Sequence, residues 1–208
     1  NLTSTQLNLM QTSDVAALSS AAAASLTSTQ LNALTSTNLD ALTTAQVSKL
    51  TTTQVSNLTS TQLNLMETTD LAALTTTQVV SLTAAQLDGL DATHLAALSS
   101  VASLTSTQLN AMASTNLQGL NTTQVASLTT TQVSNLTTTQ LNLLETSDVA
   151  ALSTGAVASL TSTQLNALTS TNLQALTTGQ NAALTTTQAS NLTSTQLNLM
   201  QTSDVAAL

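Results

Sequence analysis

The sequence is built from an eight-residue repeat that begins with Leu or Met. Residues 160–167 read LTSTQLNA, and the phrase starts again, with substitutions, at Leu168. We call this repeat an octad and number its positions 1 to 8, so that Leu160 is at position 1, Gln164 at position 5 and Leu165 at position 6. A repeat this short does not bury a core of its own, so the sequence indicates an array of units that stack on one another.

The octad register is almost unbroken. Its leading residue recurs every eight residues from Leu2 to Leu208, with one exception. The exception is a six-residue step across residues 98–104, which we interpret as a two-residue deletion. We therefore expect residues 1–208 to form a single continuous repeat array.

A longer repeat is superimposed on the octads. Seven-octad segments that resemble one another start near residues 18, 98 and 152. Three additional octads occupy residues 74–97, which indicates gain and loss in whole octads. Residues 1–18 and 191–208 are identical, so we expect this sequence to be a window on a longer repetitive chain.

Each octad contains the signals that start a helix. In residues 160–167, Thr161 occupies the N-cap position, and Gln164 follows three residues later, as in a capping box. Leu160 and Leu165 then occupy the two positions of a hydrophobic staple. The pattern predicts one very short helix in each octad.

The fold class that we predict is an all-α solenoid of these short helices. A continuous helix is excluded, because eight residues rotate by about 800° and successive octads would drift by roughly 80° around its surface. A β-solenoid is the alternative, since Thr and Val favour strands. Strand alternation would, however, place apolar and polar side chains on both faces. The number of octads per turn stays open, between roughly two and four.

The predicted helix places the apolar side chains of one octad on one side. Leu165 and Leu168 are three residues apart on the helix, and we expect Ala167 to lie beside them and Leu160 to return to the same side. Thr163 and Asn166 are expected to face outward. Octads would then be held together mainly by leucine contacts between neighbours.

Charge and composition exclude several classes of partner. Only 5% of the residues are charged, Lys49 is the sole base, and aromatic residues are absent. Nothing is therefore present to neutralise phosphates or to stack on bases, so we expect no nucleic-acid partner. We also expect no membrane span, because no apolar run approaches the roughly 18 residues that a span requires.

Few residues in the chain are candidates for chemistry. Four octads carry an acid at position 5, namely Asp14, Asp70, Asp148 and Asp204. A recurring calcium ligand and a first-turn acid that interacts with the helix dipole are both compatible with this pattern, and we favour the second. His94 also occupies position 5 and has no Cys or second His as a partner. We expect no catalytic, cofactor or metal site, and therefore no enzyme.

The tiled phrase LTSTQLNAL, with variants such as LTTTQVSNL, resembles the octapeptide-type repeat tracts of very large bacterial surface and secreted proteins, including adhesin-like exoproteins. The resemblance implies an extracellular or cell-surface location and a structural role, as a segment of a filament or an adhesin stalk. The chain's partners would then be its own neighbouring coils and neighbouring chains. The alternative is a binding module whose Thr/Asn/Gln-rich surface recognises ice, a glycan or a cell surface.

Overall fold

A computed structural model describes residues 2–208 of the chain. Within these residues it contains 25 short α-helices, one 3₁₀ helix and no β-strand. The prediction of an all-α fold is therefore confirmed, and the β-solenoid alternative is wrong. The chain forms two compact units, residues 1–104 (unit 1) and residues 105–208 (unit 2).

Every α-helix has four to six residues, and its neighbours along the chain lie in the adjacent octads. Unit 1 contains α1 (Ser4–Asn8), α2 (Thr12–Ala16), α3 (Ser20–Ala24), α4 (Ser28–Asn32), α5 (Ser36–Asp40), α6 (Thr44–Val47), α7 (Thr52–Asn57), α8 (Ser60–Leu63), α9 (Thr68–Ala72), α10 (Thr76–Ser81), α11 (Ala84–Gly89), α12 (Ala92–Ala97) and the 3₁₀ helix Val101–Ser103. Unit 2 contains α13 (Ser106–Ala111), α14 (Ser114–Gln118), α15 (Thr122–Ala126), α16 (Thr130–Asn135), α17 (Thr138–Leu143), α18 (Thr146–Ala151), α19 (Thr154–Ala158), α20 (Ser162–Asn166), α21 (Ser170–Gln174), α22 (Thr178–Ala182), α23 (Thr186–Ser190), α24 (Ser194–Leu199) and α25 (Thr202–Val205).

The predicted helix-start signal is present in the structure. The side chain of Thr161 accepts a hydrogen bond from the backbone N–H of Gln164, and the side chain of Gln164 accepts one from the backbone N–H of Thr161. The same reciprocal pair starts most of the other helices, among them α4, α7, α16 and α24. Helices this short are not stable alone in water, so tertiary contacts must hold them in place.

Those contacts join each helix to the third helix along the chain. In unit 1, α7 packs on α4 and α10 packs on α7; in unit 2, α16 packs on α13 and α19 packs on α16. Three octads therefore make one turn of a solenoid, which we call a coil. This number lies within the predicted range and explains why the three octads of residues 74–97 are accommodated, since they add one whole coil.

The core of each unit is formed by octad positions 1 and 6. Leu160 and Leu165 are both buried, as predicted, whereas Ala167 at position 8 is exposed. The expectation that Ala167 faces inward is therefore wrong. Residues two apart on a helix differ by about 200°, so a side chain at position 8 points away from the side that position 6 buries.

The six-residue step from Leu98 to Leu104 is accommodated inside one octad. Residues 98–104 replace the usual α-helix with the 3₁₀ helix Val101–Ser103, whose Val101 is buried. A 3₁₀ helix rises about 2.0 Å per residue and an α-helix about 1.5 Å, so three residues span as far as four. The 3₁₀ helix packs on α10, which is the third element before it, and the three-octad coil of unit 1 is kept.

Candidate functional site

The glutamine at position 5 makes hydrogen bonds at two places in the solenoid, the start of its own helix and the end of an earlier one. The Oε1 atom of Gln164 accepts a hydrogen bond from the backbone N–H of Thr161 at 2.8 Å, at the start of its own helix. Its Nε2 donates to the carbonyl oxygens of Leu136 at 2.7 Å and Ser134 at 3.1 Å, at the end of α16. One side chain therefore joins the start of one helix to the end of a helix about one coil earlier.

The same arrangement recurs in both units, and we call it the glutamine ladder. In unit 1, the Nε2 of Gln54 donates to the carbonyl of Leu26 at 2.7 Å, and that of Gln78 donates to the carbonyl of Leu50 at 2.7 Å. In unit 2, the Nε2 of Gln188 donates to the carbonyl of Leu160 at 2.8 Å. The last carbonyls of a helix have no partner within that helix, so the ladder satisfies groups that would otherwise be orphaned.

An asparagine at position 7 makes contacts in the opposite direction along the chain. The Nδ2 of Asn142 donates to the carbonyl of Ala167 at 2.7 Å, and its Oδ1 accepts from the backbone N–H of Thr169 at 2.8 Å. In unit 1, the Nδ2 of Asn8 donates to the carbonyl of Ala33 at 2.6 Å. We call these contacts the asparagine ladder. Within each unit, the two ladders join a coil to the coil before it and to the coil after it.

The prediction of an outward polar surface needs two corrections. The glutamines of the predicted Thr/Asn/Gln-rich surface are buried in most coils, with Gln164 as an example. Asn166 is exposed as predicted, but its Nδ2 donates to the carbonyl of Asn191 at 3.0 Å. A sequence signal was available, because an amide group donates from one atom and accepts at another, and Gln and Asn recur at positions 5 and 7.

Replacing Asn166 with Asp tests the asparagine ladder. The Asp side chain has the same shape but presents a carboxylate to the carbonyl of Asn191, so we expect unit 2 to lose about 1 kcal/mol of stability. Asn198 occupies the same octad position in the last coil, so Asn198→Asp is the matched control and should change stability little. Urea unfolding followed by circular dichroism measures both. Equal losses in the two variants would contradict the ladder.

Other residues at position 5 keep part of the glutamine contact. The shorter Asn38 donates through Nδ2 to the carbonyl of Leu7 at 3.0 Å, and Asn172 donates to the carbonyl of Leu141 at 3.2 Å. The hydrogen bond to the preceding coil therefore forms with the shorter Asn side chain as well as with Gln.

His94 fills the same place in α12. Its Nε2 lies 3.1 Å from the carbonyl oxygen of Met66, and its Nδ1 lies 2.8 Å from the Oδ1 of Asp91, the N-cap residue. Asp91 also accepts from the backbone N–H of His94, and these hydrogen bonds hold the pKa of Asp91 below its usual value. Both ring nitrogens are thus engaged in contacts at the start of the helix and with the preceding coil.

The four aspartates at position 5 all lie in the first turn of a helix, as predicted. Asp14 is exposed, whereas Asp70, Asp148 and Asp204 are buried. Burial, followed by the neighbouring charges of Glu67 and Asp40, raises the pKa of Asp70 to about 6. Across residues 2–208, no three His, Cys, Asp or Glu side chains converge on a possible metal position.

One buried polar residue was missed in the sequence. Asn181 occupies position 6 of its octad, where other octads carry an apolar residue, and its side chain is buried. Its Oδ1 has no hydrogen-bond partner, and its Nδ2 makes only a long contact of 3.4 Å with the carbonyl of Leu176. The register of the octad already identified this position as part of the core.

Comparison with protein families gives the repeat a name. A family model described as the ALTTAQ repeat matches four segments of the chain, residues 7–44, 63–100, 101–138 and 141–178. These segments cover most of the sequence. The chain belongs to the ALTTAQ repeat family. A search of curated proteins finds no match.

The letters ALTTAQ occur in this chain at residues 41–46. They begin at the last position of one octad, include the residues that join α5 to α6, and end at position 5 of the next octad. Leu42 is a buried core residue, Thr43 caps α6, and Gln46 reaches the carbonyl of Leu18 at 2.7 Å. The ALTTAQ phrase therefore contains the groups that close one corner and attach it to the preceding coil.

Most of the recurrent polar groups in the ALTTAQ repeats of this chain are hydroxyls and amides. The amides at positions 5 and 7 make the contacts between coils, and many hydroxyls at positions 3 and 4, such as those of Thr52 and Thr53, are exposed. Among residues 2–208, no helix has the length and hydrophobicity to cross a membrane.

Proposed function

We propose that this ALTTAQ repeat chain is a structural protein, a segment of an extracellular filament or of an adhesin stalk that acts as a spacer. In this proposal residues 1–208 belong to one continuous array, and the chain has no catalytic function. The observation that carries the proposal is the pair of amide ladders, because they commit the repeat's recurrent amide groups to holding neighbouring coils together.

A ladder of this kind suits a spacer for a physical reason. Each coil is bound to its neighbours by the same contacts, so coils can be added or removed without a new kind of interface. The additional octads of residues 74–97 correspond to one such coil. The length of the array is therefore adjustable by duplication, while its hydrogen bonding stays the same.

The extracellular location rests on the resemblance of the octads to repeat tracts of large bacterial surface and secreted proteins. In this proposal the chain's partners are its own coils and neighbouring chains.

A binding surface is the second candidate, and exposed threonines favour it. Thr52 and Thr53 are exposed in α7. Thr76 and Thr77 are exposed in α10, which belongs to the next coil and packs on α7. Such a surface presents hydroxyl and methyl groups at the spacing of the coils, to ice, a glycan or a cell surface. Thermal hysteresis and binding to a glycan array test this candidate directly.

Electron microscopy of the native material tests the structural role. We expect long, uniform fibres or stalks whose width is constant along their length. Compact, monodisperse particles would overturn the proposal. Thermal hysteresis or glycan binding without fibres would favour the second candidate instead.

A further inference from the structure

The helices of unit 1 form three columns, because each coil contributes one helix to each side of the solenoid. The first column contains α1, α4, α7 and α10, the second contains α2, α5, α8 and α11, and the third contains α3, α6, α9 and α12. Every octad of unit 1 up to residue 97 therefore belongs to one side of the solenoid.

The acidic residues of unit 1 are distributed unevenly over these columns. All six belong to octads of the second and third columns, namely Asp14, Asp40 and Asp88 in the second and Glu67, Asp70 and Asp91 in the third. Lys49, the only base, is the last residue of a third-column octad. The octads of the first column contain no Asp, Glu, Lys or Arg. We call the outer surface of α4, α7 and α10 the uncharged face.

The uncharged face presents threonines at regular intervals. Thr29, Thr53 and Thr77 occupy position 4 of octads that are three octads apart, and all three are exposed. Val80 belongs to the same column and is 39% exposed. A threonine hydroxyl both donates and accepts hydrogen bonds, and its methyl group adds apolar area. This face therefore offers hydrogen bonds and apolar contact without an ionised group.

Hydrogen bonds between coils fix the spacing of these threonines. The Nδ2 of Asn32 in α4 donates to the carbonyl of Asn57 in α7 at 2.8 Å. The Oγ of Ser81 in α10 donates to the carbonyl of Thr52 in α7 at 3.3 Å. Because the helices are already held in place, a partner that binds this face need not order the backbone beneath it.

We infer that the uncharged face of unit 1 binds the uncharged face of a second copy, so that neighbouring chains of the proposed filament lie side by side. The inference rests on the proposed structural function and assigns the surface that neighbouring chains use. Contact through the second or third column would bring acids of two copies together, and like charges across an interface oppose association. The uncharged face avoids this repulsion. Because both copies use the same surface, the contact is isologous.

Three single substitutions test this contact in the 208-residue chain. Thr53→Glu and Thr53→Lys place a negative or a positive charge in the middle of the uncharged face. Thr61→Glu is the matched control, because Thr61 is exposed at position 4 of α8, in the second column. A carboxylate lies in the first turn of a short helix in both Glu variants, so the local effect on the helix is the same. Circular dichroism checks that all three variants fold.

Sedimentation velocity over a range of concentrations at about 0.15 M salt gives the result. We expect the unmodified chain and Thr61→Glu to form dimers equally well. Thr53→Glu alone and Thr53→Lys alone should associate at least about tenfold more weakly, because like charges then face each other. An equimolar mixture of these two variants should regain the association, since opposite charges meet across the contact. A variant that had merely misfolded would not be rescued by mixing.

Several outcomes would overturn the inference. An unmodified chain that stays monomeric at every concentration excludes the contact, and equal weakening by Thr53→Glu and Thr61→Glu would place it elsewhere. Thermal hysteresis of a monomeric chain that Thr53→Glu abolishes would assign the face to ice instead. Failure of the proposed function is separable. Fibres in the native material together with a monomeric 208-residue chain would leave the structural role intact, whereas compact native particles would overturn that role even if the isolated chain dimerises.

Discussion

Replacing Asp70 with Gln is expected to stabilise the coils around it by about 3 kcal/mol at neutral pH and by little below pH 3.8. Asp70 is 2% exposed and occupies position 5, where other octads place the amide of the glutamine ladder. A carboxylate at this position is removed from water and cannot donate a hydrogen bond to the carbonyl groups of the preceding coil. Glutamine restores both the donor and the neutral side chain.

The pH dependence follows from the direction of the pKa change. Burial and the charges of Glu67 and Asp40 raise the pKa of Asp70 from 3.8 to about 6, so the folded state binds the proton more tightly than the unfolded state. The stability that this proton contributes is fully present below pH 3.8 and is lost as the pH rises through about 6. The advantage of Asp70→Gln should therefore appear within that interval and stay constant above it.

Hydrogen exchange of the amides in residues 67–73 measures this local stability. A local probe is preferable because repeat arrays need not unfold in a single transition. Asp14→Gln is the matched control, since Asp14 has the same octad position and is exposed in the first coil. Equal stabilisation by both substitutions, or a gain for Asp70→Gln that does not change with pH, would contradict the role of burial.

The helix starts were predictable from the sequence because the interactions that form them are local. Thr161 and Gln164 are three residues apart, and the side chain of each accepts a hydrogen bond from the backbone N–H of the other. The burial of Leu160 and Leu165 was also predictable, because the two residues occupy the positions of a hydrophobic staple around the same helix start. The expectation for Ala167 is wrong because position 8 lies about 200° around the helix from position 6.

The contacts between coils were not predictable in the same way. The hydrogen bond from Gln164 to Leu136 spans 28 residues, and its existence depends on how many octads make one coil. An eight-residue period fixes the helix but is compatible with several numbers of octads per turn. When three octads form a coil, the glutamine at position 5 lies beside the end of an earlier helix. The same side chain then caps its own helix and donates to a carbonyl of that earlier helix.

Substituting Asn181 with Leu is expected to stabilise unit 2 by about 3 kcal/mol. Asn181 is 2% exposed, and its Oδ1 has no partner, a situation that costs about 1–3 kcal/mol. Leu is the residue that position 6 buries in the octads of Leu165 and Leu173, and it adds the free energy of apolar burial, about 2 kcal/mol. Position 6 of the neighbouring octads is already apolar, as Val157 shows in α19, on which α22 packs.

Thermal and urea unfolding of Asn181→Leu measure the gain, with Asn198→Leu as the control. Asn198 is exposed at position 7, so the same change there should alter stability by less than about 0.5 kcal/mol. Hydrogen exchange should slow chiefly in residues 177–184, because the unpaired oxygen weakens this octad before it weakens the rest of unit 2. An unchanged or lower stability for Asn181→Leu would mean that Asn181 obtains a partner in the folded protein, and that its place in the core serves a contact other than packing.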